Sequence, residues 1–558
     1  MYFTLGVSAA TPERCAALTE RALAVDPSVM PIPGPGEVAW RSPDGRAALL
    51  RWGAAETGQG STAETDPGAG TERAGASCAG TIRAGTPEPP GGVPLCARTS
   101  VTRVDPVYLA EAADAVVVAD RAAWAAWTTS RLADHDPLHL CALLNPGFPL
   151  GSVTPFSGVT AVAGSTTLRL LNGTVTRAKG AAPGSAGGPA FGPAPRPGGA
   201  REVAEGLVAA VAPLREAGSP VELSLTGGKD SRLVAAALVK AGVPVVARTH
   251  GFGDHPDVVV AAEIARRLGI EHIVRTPAAP GQRVDVLGRI RATVLVADGM
   301  LSAFENVGRP DPAASPALTA GGHGGELLRG GYAETAGRRG SADGLRGILS
   351  PARRAAGSAE LLRRLTTKHL GLIRRGPAAA YVASLAPWAP QLARHPMQAL
   401  DDFYLVNRAG RWSAAARQAY LLRENLAQPL FDDRVVLAAR AVPLAERVSG
   451  ALSAAVLAEL SPALADVPLA GKPPAGPQSP FDWRRQYGDA ITTFLRGYIL
   501  DLGTTSDLFD VVSRPAAEKL LSPPHADRAT VWALATAACL VSGDYRKARE
   551  TTHQLPVT

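Results

Sequence analysis

The stretch Leu223-Ser224-Leu225-Thr226-Gly227-Gly228-Lys229-Asp230-Ser231-Arg232 decides the fold of this chain. The apolar run that enters it, residues 220–225, predicts a strand, and residues 233–242 predict a helix that leaves it. Two glycines between these runs let the backbone turn sharply and approach a ligand closely. A helix that begins at such a turn directs free N–H groups and a partial positive charge at an anion. The stretch therefore predicts a strand–turn–helix unit that binds phosphate.

The polar side chains of the turn narrow the choice of ligand. Thr226 and Ser231 supply hydroxyl donors, and Lys229 supplies a full positive charge. Asp230 would repel phosphate unless a cation lies between them, and Mg²⁺ commonly binds a carboxylate together with phosphate oxygens. The Walker A pattern GxxxxGK[ST] is absent from this turn, so a P-loop is not predicted. A plain glycine-rich turn of a doubly wound sheet is the alternative.

The same stretch resembles the SGGxDS loop of the PP-loop ATP pyrophosphatases, with Thr226 in the place of the first serine. Those enzymes cleave ATP between its α and β phosphates and adenylylate a substrate. The resemblance implies ATP and Mg²⁺ as cofactors, with Asp230 as a metal ligand. It implies nucleotide binding by Leu223, Ser224, Thr226, Gly227, Gly228, Lys229, Asp230 and Ser231.

Length and composition are typical of a globular protein with several domains. The 558 residues suffice for two or three domains, and 46% of them are hydrophobic against 19% charged. The net charge is +7, but no basic stripe with interleaved aromatic residues occurs, so we expect no nucleic-acid binding. Five scattered cysteines without a CxxC pair argue against a disulfide framework and indicate a reducing cytoplasm. No apolar run reaches the roughly 18 residues that a membrane span needs.

Residues 1–178 predict a β-rich layered domain. Residues 1–53 contain short apolar runs typical of strands, and residues 100–104 and 115–120 repeat that pattern. Residues 54–95 have almost no large apolar side chains and predict a mobile insertion outside the core. Residues 138–165 resemble the end of the glutaminase-type domain of asparagine synthetases, an antiparallel layered fold of the N-terminal-nucleophile (Ntn) hydrolase class.

The catalytic residue of that domain type is missing. The family uses a cysteine at position 2, exposed by removal of the first methionine, to release ammonia from glutamine, and here position 2 is Tyr2. A phenol lacks the nucleophilicity of a thiolate, and Cys15 has no free α-amine beside it. We therefore expect a degenerate domain without glutaminase activity, which serves as a scaffold or a substrate-docking surface.

Residues 179–201, rich in Pro, Gly and Ala, predict a linker to a second domain at residues 202–558. Strands and helices alternate there, which predicts an α/β fold whose parallel sheet is flanked by helices and binds its ligand at the carboxyl ends of the strands. The order of elements resembles the nucleotide-binding half of asparagine synthetases, and it implies that Thr249 and Gly251 of a T-x-G loop also bind the nucleotide. Asp257 precedes the next helical run and is expected to cap it.

A second motif is Gly321-Gly322-His323-Gly324-Gly325-Glu326-Leu327-Leu328-Arg329-Gly330-Gly331-Tyr332. It resembles the SGEGSDELFGGY loop of asparagine synthetases. The resemblance implies that Gly321 and Gly322 bind the nucleotide and that Glu326, in the aspartate place, completes the Mg²⁺ site with Asp230. His323 takes the place of a glutamate. Its imidazole can remove a proton from an attacking amine at neutral pH, or it can simply hydrogen-bond a phosphate or the backbone.

Three later segments complete the pattern. Residues 334–358 are basic and irregular and predict a solvated loop, with a clamp over bound substrate as the alternative. Residues 423–436 resemble the E-x-R-x-P-F-L-D segment of the family, with Asn425 at the glutamate position and Glu424 one residue away. Glu424 is a candidate partner of His323, against an ordinary glutamate on a helix surface. Lys472 stands where the family has a lysine that contacts the α-phosphate and the tetrahedral intermediate, against an exposed loop lysine.

These motifs, in order over residues 205–490, imply ATP-dependent amide formation through an acyl-adenylate, with release of AMP and pyrophosphate. Without a cysteine at position 2, we expect the nitrogen to come from an amine of the substrate, as in β-lactam synthetases and lasso-peptide macrolactam cyclases. We expect a cytoplasmic carbon–nitrogen ligase that closes a macrolactam in a precursor core peptide, with a leader-peptide protease as a candidate partner. The alternatives are a small-molecule amide or β-lactam synthetase and a non-catalytic nucleotide-binding subunit.

Overall fold

The structure, a computed structural model, describes residues 3–25, 36–52, 81–84, 93–180, 199–276, 283–305, 307, 318–336, 351–422, 425–471, 489–522, 527–547 and 554–556. The strands are β1 (Phe3–Ala9), β2 (Gly36–Arg41), β3 (Ala47–Trp52), β4 (Thr81–Ala84), β5 (Leu95–Arg98), β6 (Tyr108–Glu111), β7 (Ala115–Ala119), β8 (Val159–Ala161), β9 (Thr166–Leu171), β10 (Thr174–Lys179), β11 (Val221–Ser224), β12 (Val245–His250), β13 (Glu271–Arg275), β14 (Arg283–Asp285), β15 (Leu318–Gly321), β16 (Asn425–Ala427) and β17 (Gln554–Pro556).

The α-helices are α1 (Pro12–Leu23), α2 (Ala122–Thr128), α3 (Pro137–Leu144), α4 (Ala200–Val211), α5 (Lys229–Lys240), α6 (Pro256–Leu268), α7 (Val286–Val296), α8 (Pro351–Thr366), α9 (Arg375–Leu385), α10 (Ala389–Arg394), α11 (Pro396–Phe403), α12 (Ala414–Leu421), α13 (Asp433–Ala441), α14 (Leu444–Ser449), α15 (Ala451–Leu460), α16 (Asp489–Thr504), α17 (Leu508–Val511), α18 (Arg514–Leu520) and α19 (Arg528–Val541). A π-helix, Tyr404–Ser413, joins α11 to α12.

Two antiparallel sheets form the N-terminal region. Six strands pair in the order β2-β3-β1-β7-β6-β8, and four pair in the order β10-β9-β5-β4. Leu49, Leu109 and Leu168 belong to the apolar cluster between the two sheets, while α1 and α2 pack on the other side of the larger sheet. This arrangement agrees with the predicted β-rich layered region, and its assignment to the Ntn hydrolase class stays a prediction.

A five-stranded parallel sheet in the order β13-β12-β11-β15-β16 forms the centre of the second region. Helices α4, α5, α6, α13 and α15 contribute to the apolar cluster around its central strand, where Leu223 is fully buried. The edge strand β13 is more open, since Glu271 and Arg275 at its two ends are exposed. The alternation of strands and helices therefore predicted this mixed α/β architecture correctly.

Four local predictions were wrong or incomplete. Helix α1 occupies residues that the apolar runs assigned to strands, because Thr11 caps it and Pro12 opens it. Strand β4 lies inside residues 54–95 and pairs with β5, so part of that stretch belongs to a sheet. Residues 351–358 are helical rather than irregular, as part of α8. Residues 100–104 turn instead of extending, since the N–H of Arg103 donates to the carbonyl of Ser100.

Candidate active site

The cradle, which we define as residues 225–231, joins β11 to α5 at the carboxyl end of the parallel sheet. Ser224, the last residue of β11, pairs with Arg248 of β12 on one side and with Gly321 of β15 on the other. The T-x-G loop and the glycine loop (residues 321–332) therefore leave the sheet at the same edge as the cradle. The structure thus brings three separate segments together at one edge of the sheet, and their role in nucleotide binding stays a prediction.

Internal hydrogen bonds hold the cradle in shape. The N–H of Thr226 donates to the Ser231 hydroxyl at 3.1 Å, and the N–H of Gly228 donates to the Thr226 hydroxyl at 3.2 Å. Gly228 is the N-cap of α5 and brings no side chain to cap its first turn. The N–H groups of that turn are the ones that a bound phosphate would meet.

Asp257 also acts on the cradle. Its Oδ1 accepts a hydrogen bond from the N–H of Gly227 at 3.0 Å. The prediction that Asp257 caps the following helix was wrong, because His255 is the N-cap of α6 and accepts the N–H of Asp257. The Asp257 carboxylate thus occupies one N–H donor of the turn and adds negative charge there.

The glycine loop lies directly on the cradle. A Cβ atom on Gly322 would fall 2.6 Å from the backbone nitrogen of Ser231, and one on Gly325 would fall 2.1 Å from the carboxyl group of Asp230. Only glycine permits this approach, which explains the glycine density of the second motif. The loop therefore covers the first turn of α5 and faces the Asp230 carboxylate.

An arginine that the sequence analysis passed over lies between two acids at this place. The Arg329 guanidinium pairs with Asp230 through Nη1 and with Glu334 through Nε at 3.1 Å, and its side chain is 8% exposed. Burial raises the pKa of Asp230, while the charge of Arg329 acts in the opposite direction. The signal that reveals Arg329 is its place in the motif, where the family pattern has an apolar phenylalanine.

Glu326 and His323 differ in their surroundings. Burial and the nearby Glu326 carboxylate, which also hydrogen-bonds the phenol, raise the pKa of Tyr404 well above its ordinary value. Glu326 also acts on Asp230, where its negative charge raises the pKa of the carboxyl group. His323 is exposed at the start of the loop, and its Nδ1 lies 3.5 Å from the position of a Cβ on Gly321. The two predicted metal ligands are thus neighbours, and His323 is open to solvent.

These residues fit a magnesium ion. Asp230 pairs with Arg329 through Oδ1, so its second oxygen would be the one to bind a metal, and Glu326 would supply another carboxylate. The absence of a side chain at Gly325 makes the room that the Asp230 carboxylate occupies. Within the described ranges, no group of three or more His, Cys, Asp or Glu side chains is positioned to hold a metal. Mg²⁺ bound by one or two carboxylates plus substrate phosphates matches this donor set.

Other predicted residues surround the cradle. The Thr249 hydroxyl donates to the carbonyl of Leu225 at 2.8 Å and lies 2.9 Å from His272 Nε2, so it supports the strand end that carries the cradle. Gly251 is close to Val258, whose methyl group would lie 2.4 Å from a Cβ at that position. The Lys229 ammonium extends towards Gly450, the residue between α14 and α15.

Lys472 and Glu424 lie outside the described residues. The segment just before Lys472 does contact the cradle. The N–H of Ala470 donates to the carbonyl of Gly227 at 3.0 Å, and a Cβ on Gly227 would meet the Ala470 side chain at 2.4 Å. Residues 467–470 therefore run along the cradle.

Arg232 holds residues 467–470 against the cradle through hydrogen bonds. The sequence did not single it out. Its guanidinium donates to the carbonyls of Gly227 and Gly228 at 3.0 Å, and to those of Val467 at 2.8 Å and Pro468 at 3.0 Å. Burial lowers the pKa of Arg232. One buried guanidinium thus joins two chain segments through four carbonyl groups.

The N-terminal region offers no ready thiol nucleophile among the residues that the structure describes near its start. Tyr2 lies outside those residues. Cys15 is fully buried on α1, and burial raises the pKa of its thiol. A buried thiol with a raised pKa is a poor nucleophile.

A comparison with known families supports the class that the fold and the cradle indicate. The model of the asparagine synthase family matches residues 202–461, the segment that contains the cradle, the T-x-G loop and the glycine loop. This match supports the asparagine synthetase superfamily, whose members are ATP-dependent ligases. A comparison with curated proteins found no match. No helix among the described residues is long and apolar enough to cross a membrane.

Proposed function

We propose that this protein forms an amide bond through an acyl-adenylate, with ATP as the activating substrate and AMP and pyrophosphate as products. The observation that carries the proposal is the contact of the glycine loop with the cradle. Gly322 and Gly325 lie against Ser231 and Asp230 with no room for a side chain, inside the segment that matches the asparagine synthase family. This contact brings the two motifs together, which supports one shared nucleotide site rather than two separate ones.

The proposed reaction has two steps, transfer of the adenylyl group of ATP to a carboxylate and transfer of the acyl group to an amine. A substrate carboxylate attacks the α-phosphorus of ATP, the bond to the β-phosphate breaks, and pyrophosphate leaves towards the N-terminus of α5. An amine then attacks the acyl carbon and AMP leaves, while a base takes the proton of the amine. Asp230 and Glu326 would hold Mg²⁺, which when bound neutralises charge on the phosphates. The remaining nucleotide contacts come from the cradle, Thr249, Gly251, Gly321 and Gly322.

His323 and Lys472 are the residues proposed for the second transfer. An exposed imidazole next to the cradle can reach an incoming amine, and histidine is the side chain most often used as a general base near neutral pH. Lys472 follows Ala470, whose N–H donates to the carbonyl of Gly227, by two residues in the sequence. A lysine there would stabilise negative charge on the α-phosphate. Glu424 remains the proposed partner of His323.

We further propose a peptide as the substrate, with the amide closing a macrolactam ring. The support for this substrate is that the protein lacks the cysteine with which related domains release ammonia from glutamine. Tyr2 stands where the related glutaminase domains have their cysteine, and Cys15 is buried, which favours an amine of the substrate over glutamine as the source of nitrogen. In this proposal residues 1–178 form a non-catalytic domain, residues 179–201 a linker and residues 202–558 the ligase. The enzyme acts in the cytoplasm beside a leader-peptide protease.

The test is a substrate screen with two readouts. Purified protein is incubated with MgATP and with peptides that carry a free N-terminal amine and an internal Asp or Glu, or with small β-amino acids. Pyrophosphate release is measured by a coupled assay and product mass by mass spectrometry. Loss of one water from a peptide, at one pyrophosphate per product, supports the macrolactam. Products from the small amino acids alone support a small-molecule synthetase, and ATP binding without pyrophosphate under all conditions contradicts an enzyme.

A further inference from the structure

Arg329 stands where the proposed metal site needs positive charge. Its Nη1 pairs with Asp230 and its Nε lies 3.1 Å from Glu334 Oε2. The side chains of all three residues are largely buried, at 8% exposed for Arg329, 23% for Asp230 and 10% for Glu334. A fixed cation therefore already compensates the carboxylate that is proposed to bind Mg²⁺.

We propose that Arg329 makes metal binding conditional on ATP, so that Mg²⁺ enters this site together with the nucleotide and not before it. The inference rests on the proposed function and adds an order of binding to the same site. Arg329 acts here as a positioning residue, because it holds Asp230.

Charge repulsion opposes metal binding at Asp230 when no nucleotide is bound. In the protein alone, a divalent cation approaching Asp230 meets the guanidinium at close range, and like charges repel strongly in a site that is mostly shielded from water. Glu326 and Glu334 add negative charge near Asp230, but Glu334 is already paired with the same guanidinium. ATP changes the balance, because its phosphates supply several negative charges at once. A planar guanidinium and Mg²⁺ then both have anionic partners.

The geometry keeps Arg329 in this role. Asp230 lies in the first turn of α5, whereas Arg329 and Glu334 belong to the glycine loop and the residues that follow it. Glu334 contacts the guanidinium at Nε whereas Asp230 contacts it at Nη1, and Gly325 has no side chain that would displace the Asp230 carboxylate. The pair also joins the cradle to the glycine loop, which is the simpler alternative role. A purely structural link predicts no change in the affinity for free metal.

The experiment measures Mn²⁺ binding by electron paramagnetic resonance, with and without the α,β-methylene analogue of ATP. The wild-type protein should bind free Mn²⁺ weakly and at least tenfold more tightly with the analogue. Arg329→Met should bind free Mn²⁺ at least tenfold more tightly than the wild type, so the gain from the analogue shrinks. Arg329→Lys, which keeps a cation but not the bidentate fork, should lie between them.

Two control variants distinguish a wrong metal assignment from a wrong role of Arg329. Arg417→Met removes an arginine that is also 8% exposed and pairs with Asp105 instead, and it should leave Mn²⁺ binding unchanged. Asp230→Asn should weaken Mn²⁺ binding in the presence of the analogue. If Asp230→Asn has no effect, the metal assignment of the proposed function fails. If Asp230→Asn weakens binding but neither Arg329 variant binds free Mn²⁺ more tightly, the metal assignment stands and the conditional binding is overturned.

Discussion

Gly325→Ala should inactivate the enzyme without removing any functional group. The added Cβ would lie 2.1 Å from Cγ and from Oδ1 of Asp230, more than 1 Å inside ordinary van der Waals contact. The Asp230 carboxylate must then move by about 1 Å, because the backbone of the glycine loop is itself packed on the cradle. A displacement of about 1 Å in a reacting constellation costs on the order of 10²-fold in rate. We therefore expect about 100-fold slower pyrophosphate release.

The assay compares pyrophosphate release and thermal unfolding for Gly325→Ala and for a matched control. Gly357→Ala adds the same methyl group in α8, where no heavy atom lies within 4 Å, and it should leave the rate unchanged. Gly325→Ala should still unfold cooperatively, since the strain falls on a side chain. A Gly325→Ala rate within threefold of the wild type would refute the close approach of the loop to Asp230.

Four further predictions follow from the site. Asp230→Asn should abolish ATP turnover in the presence of Mg²⁺ while the circular dichroism spectrum stays that of the wild type; wild-type turnover would contradict its metal role. Purified protein should release no glutamate from glutamine in a coupled assay, because Tyr2 and the buried Cys15 offer no competent thiol; steady release would disprove this. Lys472→Ala should slow product formation by about 10²–10³-fold while the calorimetric Kd for ATP changes far less, whereas equal product rates would leave Lys472 a surface residue. Arg232→Met should lower the free energy of unfolding by about 2 kcal/mol in a urea titration, because four carbonyls lose their buried donor; an unchanged midpoint would refute the link.

The strand–turn–helix structure of the cradle could be predicted from the sequence because it depends on the conformational preferences of neighbouring residues. An apolar run, two glycines and a helix-forming run predict a strand, a tight turn and a helix. In the structure β11 ends at Ser224 and α5 begins at Lys229. The glycine loop was readable for a related reason, since a high density of glycine signals close backbone approach. The spacing of the glycines does not reveal what the loop approaches, which is the Asp230 carboxyl group and the backbone of Ser231.

The ion pair at Asp230 and the N-cap of α6 could not be predicted from the sequence. Arg329 and Asp230 are about 100 residues apart in the chain, and their pairing depends on the parallel register of β11 and β15. Asp257 precedes an apolar helical run in the sequence, but in the structure His255 caps α6 and the Asp257 carboxylate accepts the N–H of Gly227. Local sequence indicates which partners a side chain can have, whereas the tertiary structure determines which of them it contacts.

The most direct test of the acyl-adenylate is the fate of the carboxylate oxygen. A substrate found in the screen is prepared with ¹⁸O in both oxygens of its reacting carboxyl group and is converted with MgATP. The nucleotide product is then analysed by mass spectrometry. Our account predicts AMP that carries one ¹⁸O atom per molecule of amide formed. Unlabelled AMP, or ADP with the label in inorganic phosphate, would contradict it.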